Sequence, residues 1–336
     1  MLTDRRPILL ANARLIDPSR DFDGVGDVLI ADGTIRESRR GIGAAGVPEG
    51  TDIINCTGKI VAPGLIDMRA FVGEPGASHR ETFASASQAA AAGGITTIIC
   101  QPDTSPVIDN SATVDFVLRR ARDTAIVNIH PMAALTKGMR GEEMTEIGLL
   151  KAAGAVAFTD GDRSVTNAQV MRRTLTYARD FDALIVHHTE DPHLVGEGVM
   201  NESEFAARLG LAGIPNAAEA VMLERDMRLV ALTGGRYHAA SLSCIESLEI
   251  LQRARDAGQG QRLGLDQPCD TERKRHRPLS DLPETLAAAA YRGRPAGAGR
   301  CGRLRIDRRR DVRPQPAGRR GEAAAVCGSR LGRDRP

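Results

Sequence analysis

The sequence predicts an incomplete (β/α)8 barrel of about six βα units, with a small β-sandwich portion before it and a disordered basic tail after it. Three observations carry this. Strand-like and helical runs alternate between Val61 and Gly258; before them, short apolar runs alternate with turn residues and show no helical period; after Gly258 both periods stop. The domains are accordingly residues 1–60, 61–258 and 259–336.

From Pro7 to Asn55 the runs ILLANARLID, GDVLIADGTI and DIINCTGKIV read as strands, and Asp32-Gly33 is a hairpin turn signal. The barrel strands are LIDMRAF, GITTIIC, AIVNIHP, AVAFT, ALIVHH and RYHAASL. The helical patterns are ETFASASQAAAAGG, SATVDFVLRRARD, EEMTEIGLLKAAG, NAQVMRRTLTYARD, NAAEAVMLERDMRLVALTGG and CIESLEILQRARDAG, several ending at Gly as helix C-termini do. Repeated βα units imply a parallel sheet with helices outside, and this many in succession suit a barrel better than a doubly wound sheet. Eight are needed to close one. The shortfall leaves two open edges, so residues 1–258 are expected to be marginal as a soluble monomer.

An apolar content of 42% supports a sizeable core. No run has the apolar length of a membrane span, and MLTDRRPILL lacks a signal core, so no membrane partner is expected. Cys56, Cys100, Cys244, Cys269, Cys301 and Cys327 lie far apart and read as reduced thiols of a cytoplasmic protein. Residues 259–336 hold 18 Arg and one Lys against nine acids, a formal +10, which leaves −8 for the rest. A basic tail can serve as a nucleic-acid arm, but this one has a single aromatic, Tyr291, and nucleic acid is disfavoured. Its one helical pattern is LPETLAAAA.

Arg, Pro, Gly and Ala are also what a GC-rich gene yields when read out of frame. With permitted codons, GLDQPCDTERKRHRPLSDLPETL reads VSINHVTLNENDIGPYRTFLKL one nucleotide later, and the stretch Ile306–Ala317 permits IDVVTSDHNPQD. The reading is a frameshift near Gly258.

The segment APGLIDMRAFVGEPG, Ala62–Gly76, resembles the PGLIDxHxHxREPG that opens the barrel of class I dihydroorotases and related cyclic amidohydrolases. The resemblance runs from about Ala11 to Gly258 and implies a barrel of the amidohydrolase type. It implies zinc as the family's metal and ring opening of dihydroorotate to N-carbamoyl-L-aspartate, in pyrimidine biosynthesis, by a metal-activated water. Asp67 matches the family's strand-end Asp. The two His of H-x-H ligate because residues i and i+2 of a strand share a face; their positions here are Arg69 and Phe71. A guanidinium has no lone pair to give, and neither has a phenyl ring. Gly73 stands where the family has an Arg for the substrate carboxylate, before Glu74, Pro75 and Gly76. Asp103 of CQPDTSP stands for a substrate-facing Asn. Asp160 of GAVAFTDGD matches the metal-bridging acid, and His188 of ALIVHHTEDP a ligand with Glu190 and Asp191 behind it. In GRYHAASLSC, His238 matches the first family His and Ser241 the second, a ligand.

Of six expected catalytic positions only Asp160 and His188 survive, so no catalytic set is intact and these two are residual metal ligands at most. Two protein ligands do not hold a catalytic zinc of the usual three-ligand kind. The resemblance therefore implies a dihydroorotase-like chain that is inactive and binds no zinc. One alternative is a noncatalytic scaffold that partners aspartate transcarbamoylase, or a homo-oligomer; another is an allantoinase-like or hydantoinase-like hydrolase. The EPG and TEIGLLKAAGAVAFTD segments favour dihydroorotase.

Plainer roles are expected beside these. Asp160 caps the loop into a helix near Thr166, His187 and His188 line the site, and His79 begins the first barrel helix. His238 is hydrogen-bonded within the barrel, and Arg69 salt-bridges Asp160 or Glu74 in the metal's place.

Overall fold

The computed structural model describes residues 6–260 and 263–265. The basic tail beyond Leu265, with LPETLAAAA and the stretch Ile306–Ala317, lies outside them. The described residues fall into two compact units: those up to Ile66 with Ala89–Thr96, and Asp67–Gln88 with the described residues from Thr97 to Leu265.

The first unit is one five-stranded sheet. It comprises β1 (Ile8–Asp17), β2 (Phe22–Ala31), β3 (Thr34–Arg39), the single helical turn α1 (Ile42–Ala45), β4 (Asp52–Asn55) and β5 (Ile60–Val61). The order is β3-β2-β1-β4, with β5 also on β1. Asp32 and Gly33 turn β2 into β3 with φ of 53° and 72°, the left-handed pair that a tight hairpin demands. Alternation sends Leu10, Ala13, Leu15 and Val28 to one apolar cluster and Leu9, Ala11 and Leu29 to another. The register slips between Leu10 and Ala13, where Asn12 takes φ 61° and its amide donates to buried Asp27 Oδ1 at 2.9 Å.

The barrel wall begins with β6 (Leu65–Ala70), α2 (Phe83–Ala92), β7 (Ile95–Cys100), α3 (Ser111–Thr124), β8 (Asn128–Pro131), α4 (Ile147–Ala152), α5 (Ala168–Asp180) and β9 (Leu184–His188). An excursion follows through α6 (Pro192–Val195), β10 (Met200–Asn201), α7 (Glu204–Leu209) and β11 (Gly213–Ile214). Then come α8 (Asn216–Thr233), β12 (Arg236–Ala240), α9 (Ile245–Ala254) and β13 (Leu263–Leu265). Strands β6-β7-β8 form one sheet and β9-β12-β13 another. Phe158 joins them through parallel bridges to Ala133 and Ile185, so AVAFT is the fourth stave although it is too irregular to count as a strand. The wall has seven staves among the described residues. The seventh, beyond Gly258, pairs in parallel with β12, Tyr237 opposite Leu263, and is too short to show a period in sequence.

Met132, Ala157, Val186 and Ala240 fill the interior from neighbouring staves, and Phe158, Ile185 and Tyr237 are completely buried. Parallel pairing carries every stave's C-terminal end to one rim, where Arg69, Cys100, Pro131, Asp160, His188 and Ser241 lie. Asn110 and Asn167 cap α3 and α5, accepting from Thr113 N at 3.0 Å and Gln169 N at 2.9 Å. The first barrel helix starts at Phe83, not at His79, which lies in the turn before it.

Candidate active site

Arg69, the last residue but one of β6, lies mostly buried at the rim. Nη1 donates to Ser241 Oγ at the end of β12; Nη2 donates to Asp162 Oδ1 and, at 3.5 Å, to Gly161 O. Arg69 therefore pairs with neither Asp160 nor Glu74. Asp162, two residues beyond the acid that the family pattern marks, takes the charge. Ser241 holds φ at 60°, which an L residue adopts at a cost, and its hydroxyl is one of the groups that the guanidinium grips.

Asp160 is buried and engaged. Oδ1 accepts from Leu135 N at 3.0 Å and Thr136 N at 2.9 Å, and Oδ2 from Thr136 Oγ1 at 2.5 Å. It ties the fourth stave to the loop after β8 and does not cap a helix, since Asn167 caps α5. Burial pushes its carboxyl up and outweighs the Thr136 and Leu135 hydrogen bonds, which act the other way.

The adjacent histidines divide. His187 is completely buried, with Nε2 accepting from Val165 N at 2.8 Å and Nδ1 2.7 Å from Asp226 Oδ2. Since Nε2 accepts, the proton sits on Nδ1 and faces Asp226. Tyr237 Oη donates to the same Oδ2 at 2.7 Å, and Arg225 Nε and Nη2 cover Oδ1 at 2.9 and 2.7 Å. His187 is thus core and not site-lining, because its partners come from α8 and β12. His188, on the opposite face of β9, reaches the rim with Nε2 3.7 Å from Glu190 Oε2. His238 is buried on β12, opposite Gly264 of β13.

The remaining family positions do other work. Phe71 is 38% exposed and lies under the Arg80 guanidinium, 5.4 Å from the ring centroid. Gly73 opens a turn in which a Cβ would stand 2.5 Å from Ala77 O, so its place admits no side chain unless the backbone shifts. Glu74 fixes the start of α2, accepting from Phe83 N at 3.0 Å and from Arg120 Nε at 2.6 Å. Asp103 is half-buried beside Gly161; burial raises its pKa and Asp162 adds to that, while Arg69 and Arg163 oppose it.

The residues at the rim do not fit a catalytic zinc. A guanidinium occupies the place of one ligand, a ring and a hydroxyl take two others, and both oxygens of Asp160 are committed to donors. Among the described residues no three His, Cys, Asp or Glu side chains converge on one point. Sequence reasoning missed Asp162, Thr136, Asp226 and Tyr237. The G-D pair after Asp160 was on view, but the fold alone brings Asp226 to His187.

Residues 58–247 match the family model described as dihydro-orotase-like. The dihydroorotase of Citrifermentans bemidjiense is 43% identical over 251 residues, 75% of this chain and 58% of that protein. The dihydroorotase of Solibacter usitatus is 42% identical over 289 residues, 86% and 65% of the two chains. The chain thus spans about three-fifths of the length of such relatives. The solved L-hydantoinase (dihydropyrimidinase) from Arthrobacter aurescens superposes with a TM-score of 0.65 at 21% identity, covering 77% of this chain and 58% of that one, so the two share a fold. No helix among the described residues is long and apolar enough to cross a membrane.

Proposed function

This chain belongs to the dihydro-orotase-like family, and we propose that it is a dihydroorotase-like protein of pyrimidine biosynthesis whose own rim does not hydrolyse the cyclic amide. The observation that carries the reading is the Arg69 guanidinium, bonded to Ser241 and Asp162 where the family places metal ligands. The electrostatics agree. Asp103, Asp160 and Asp162 face the same rim, so an anion such as dihydroorotate meets carboxylates there, and the turn at Gly73 offers it no guanidinium. No proton transfer or water attack is assigned to this rim.

The family's noncatalytic role supplies the positive side of the proposal: a cytoplasmic scaffold that partners aspartate transcarbamoylase or a second copy of itself. Relatives named dihydroorotase, at 42–43% identity, favour this context over a hydantoinase-like one, where likeness rests on fold. We propose too that the frame shifts near Gly258; resequencing across the codons for Ala257–Leu265 decides that point.

The test is turnover of dihydroorotate by the purified chain, with and without added zinc, alongside co-elution with aspartate transcarbamoylase. The expected result is no ring opening above the uncatalysed rate in either condition. Zinc-dependent turnover would overturn the proposal.

A further inference from the structure

We infer that the Arg69 guanidinium is a resident internal cation that locks three ends of the barrel wall together. The elements it joins are β6, the loop after the fourth stave and the end of β12, and its partners lie 93 and 172 residues away along the chain. The inference rests on the reading that the rim is not a metal centre, and it goes further by giving Arg69 a positioning task of its own.

Three features point to it. The Arg69 side chain is only 18% exposed, while that of Asp162 is 82% exposed, so the guanidinium is held within the rim and meets a carboxylate that stands at the surface. The fork geometry of a guanidinium lets Nη1 and Nη2 serve two elements at once, which a point-charge ammonium does less well. Finally, the rim gathers Asp103, Asp160 and Asp162, and the cations that face Asp103 there are Arg69 and Arg163; Arg163 is itself turned to Met139 O at 3.3 Å.

Hydrogen exchange of the full chain, read on peptides covering residues 157–165 and 237–243, tests this. Arg69→Met is expected to speed exchange about tenfold or more in both peptides, from loss of charge-assisted hydrogen bonds, and to leave residues 8–31 unchanged. Ser241→Ala should loosen 237–243 alone, and Asp162→Asn 157–165 alone; these two keep the guanidinium and decide the matter if Arg69→Met does not fold. Arg69→Lys should restore protection in one peptide at most. Unchanged exchange in both peptides of Arg69→Met, or in both single-acceptor variants, overturns the lock. Stoichiometric zinc uptake by the unaltered chain would instead overturn the metal-free reading on which the lock rests.

Discussion

Asp226 and Asp160 are both buried acids, and their surroundings push them in opposite directions. Burial raises Asp226, but His187, Arg225 and Tyr237 outweigh it and hold the carboxyl below its ordinary value. A depressed folded pKa gives stability that is present above the unfolded value and lost as pH falls through the folded one. Asp160 is raised by burial, so it favours the fold at low pH and that share is lost as pH rises from the unfolded value through the folded one. Tyr237→Phe removes one donor from Asp226 and should cost about 1–3 kcal/mol in denaturant unfolding, with the acid limb of stability moved to higher pH. A midpoint and an acid limb like those of the unaltered chain would contradict this. The pair His187-His188 was legible as a strand end. Which of the two faces inward was not, because the deciding partner, Asp226, lies 39 residues on in a helix whose neighbours only the fold selects.

The turn from Gly73 to Ala77 shows how far a local motif constrains an element. Ala77 N donates to Gly73 O at 2.5 Å, and Glu74 holds the first turn of α2. Gly73→Arg restores the family residue in sequence but drives a Cβ toward Ala77 O; the expected outcome is a loss of about 1–3 kcal/mol, the usual result of overpacking, with no gain in carboxylate binding. A stable Gly73→Arg protein that binds dihydroorotate would refute it. Long periodic elements such as α3 and α5 sit where their patterns predict, since apolar spacing and an Asn cap agree. EEMTEIGLLKAAG yields only Ile147–Ala152 as helix, the preceding residues being spent on bridging Thr136 to Met144. The excursion α6–β11 announced itself by no pattern, because pieces of two to six residues are too short to express a period.

Among the described residues the wall ends on one side at β6, where Leu65, Ile66 and Met68 are 61%, 60% and 47% exposed. Open parallel edges and apolar surface of that kind favour association. The purified chain is therefore expected to elute above its monomer mass and to lack a cooperative monomeric thermal transition; a sharp, concentration-independent one would contradict this. Fold class was legible because six strand-like runs repeat with helices between them. The degenerate rim was legible residue by residue from H-x-H reading as Arg69 and Phe71. What took its place was not, since Arg69 finds Asp162 and Ser241 only when distant staves close side by side. The most direct test is therefore a zinc titration of the unaltered full chain by calorimetry with metal analysis. Uptake well below one ion per chain agrees with a guanidinium in the metal's place, and tight uptake of one or two ions per chain contradicts it.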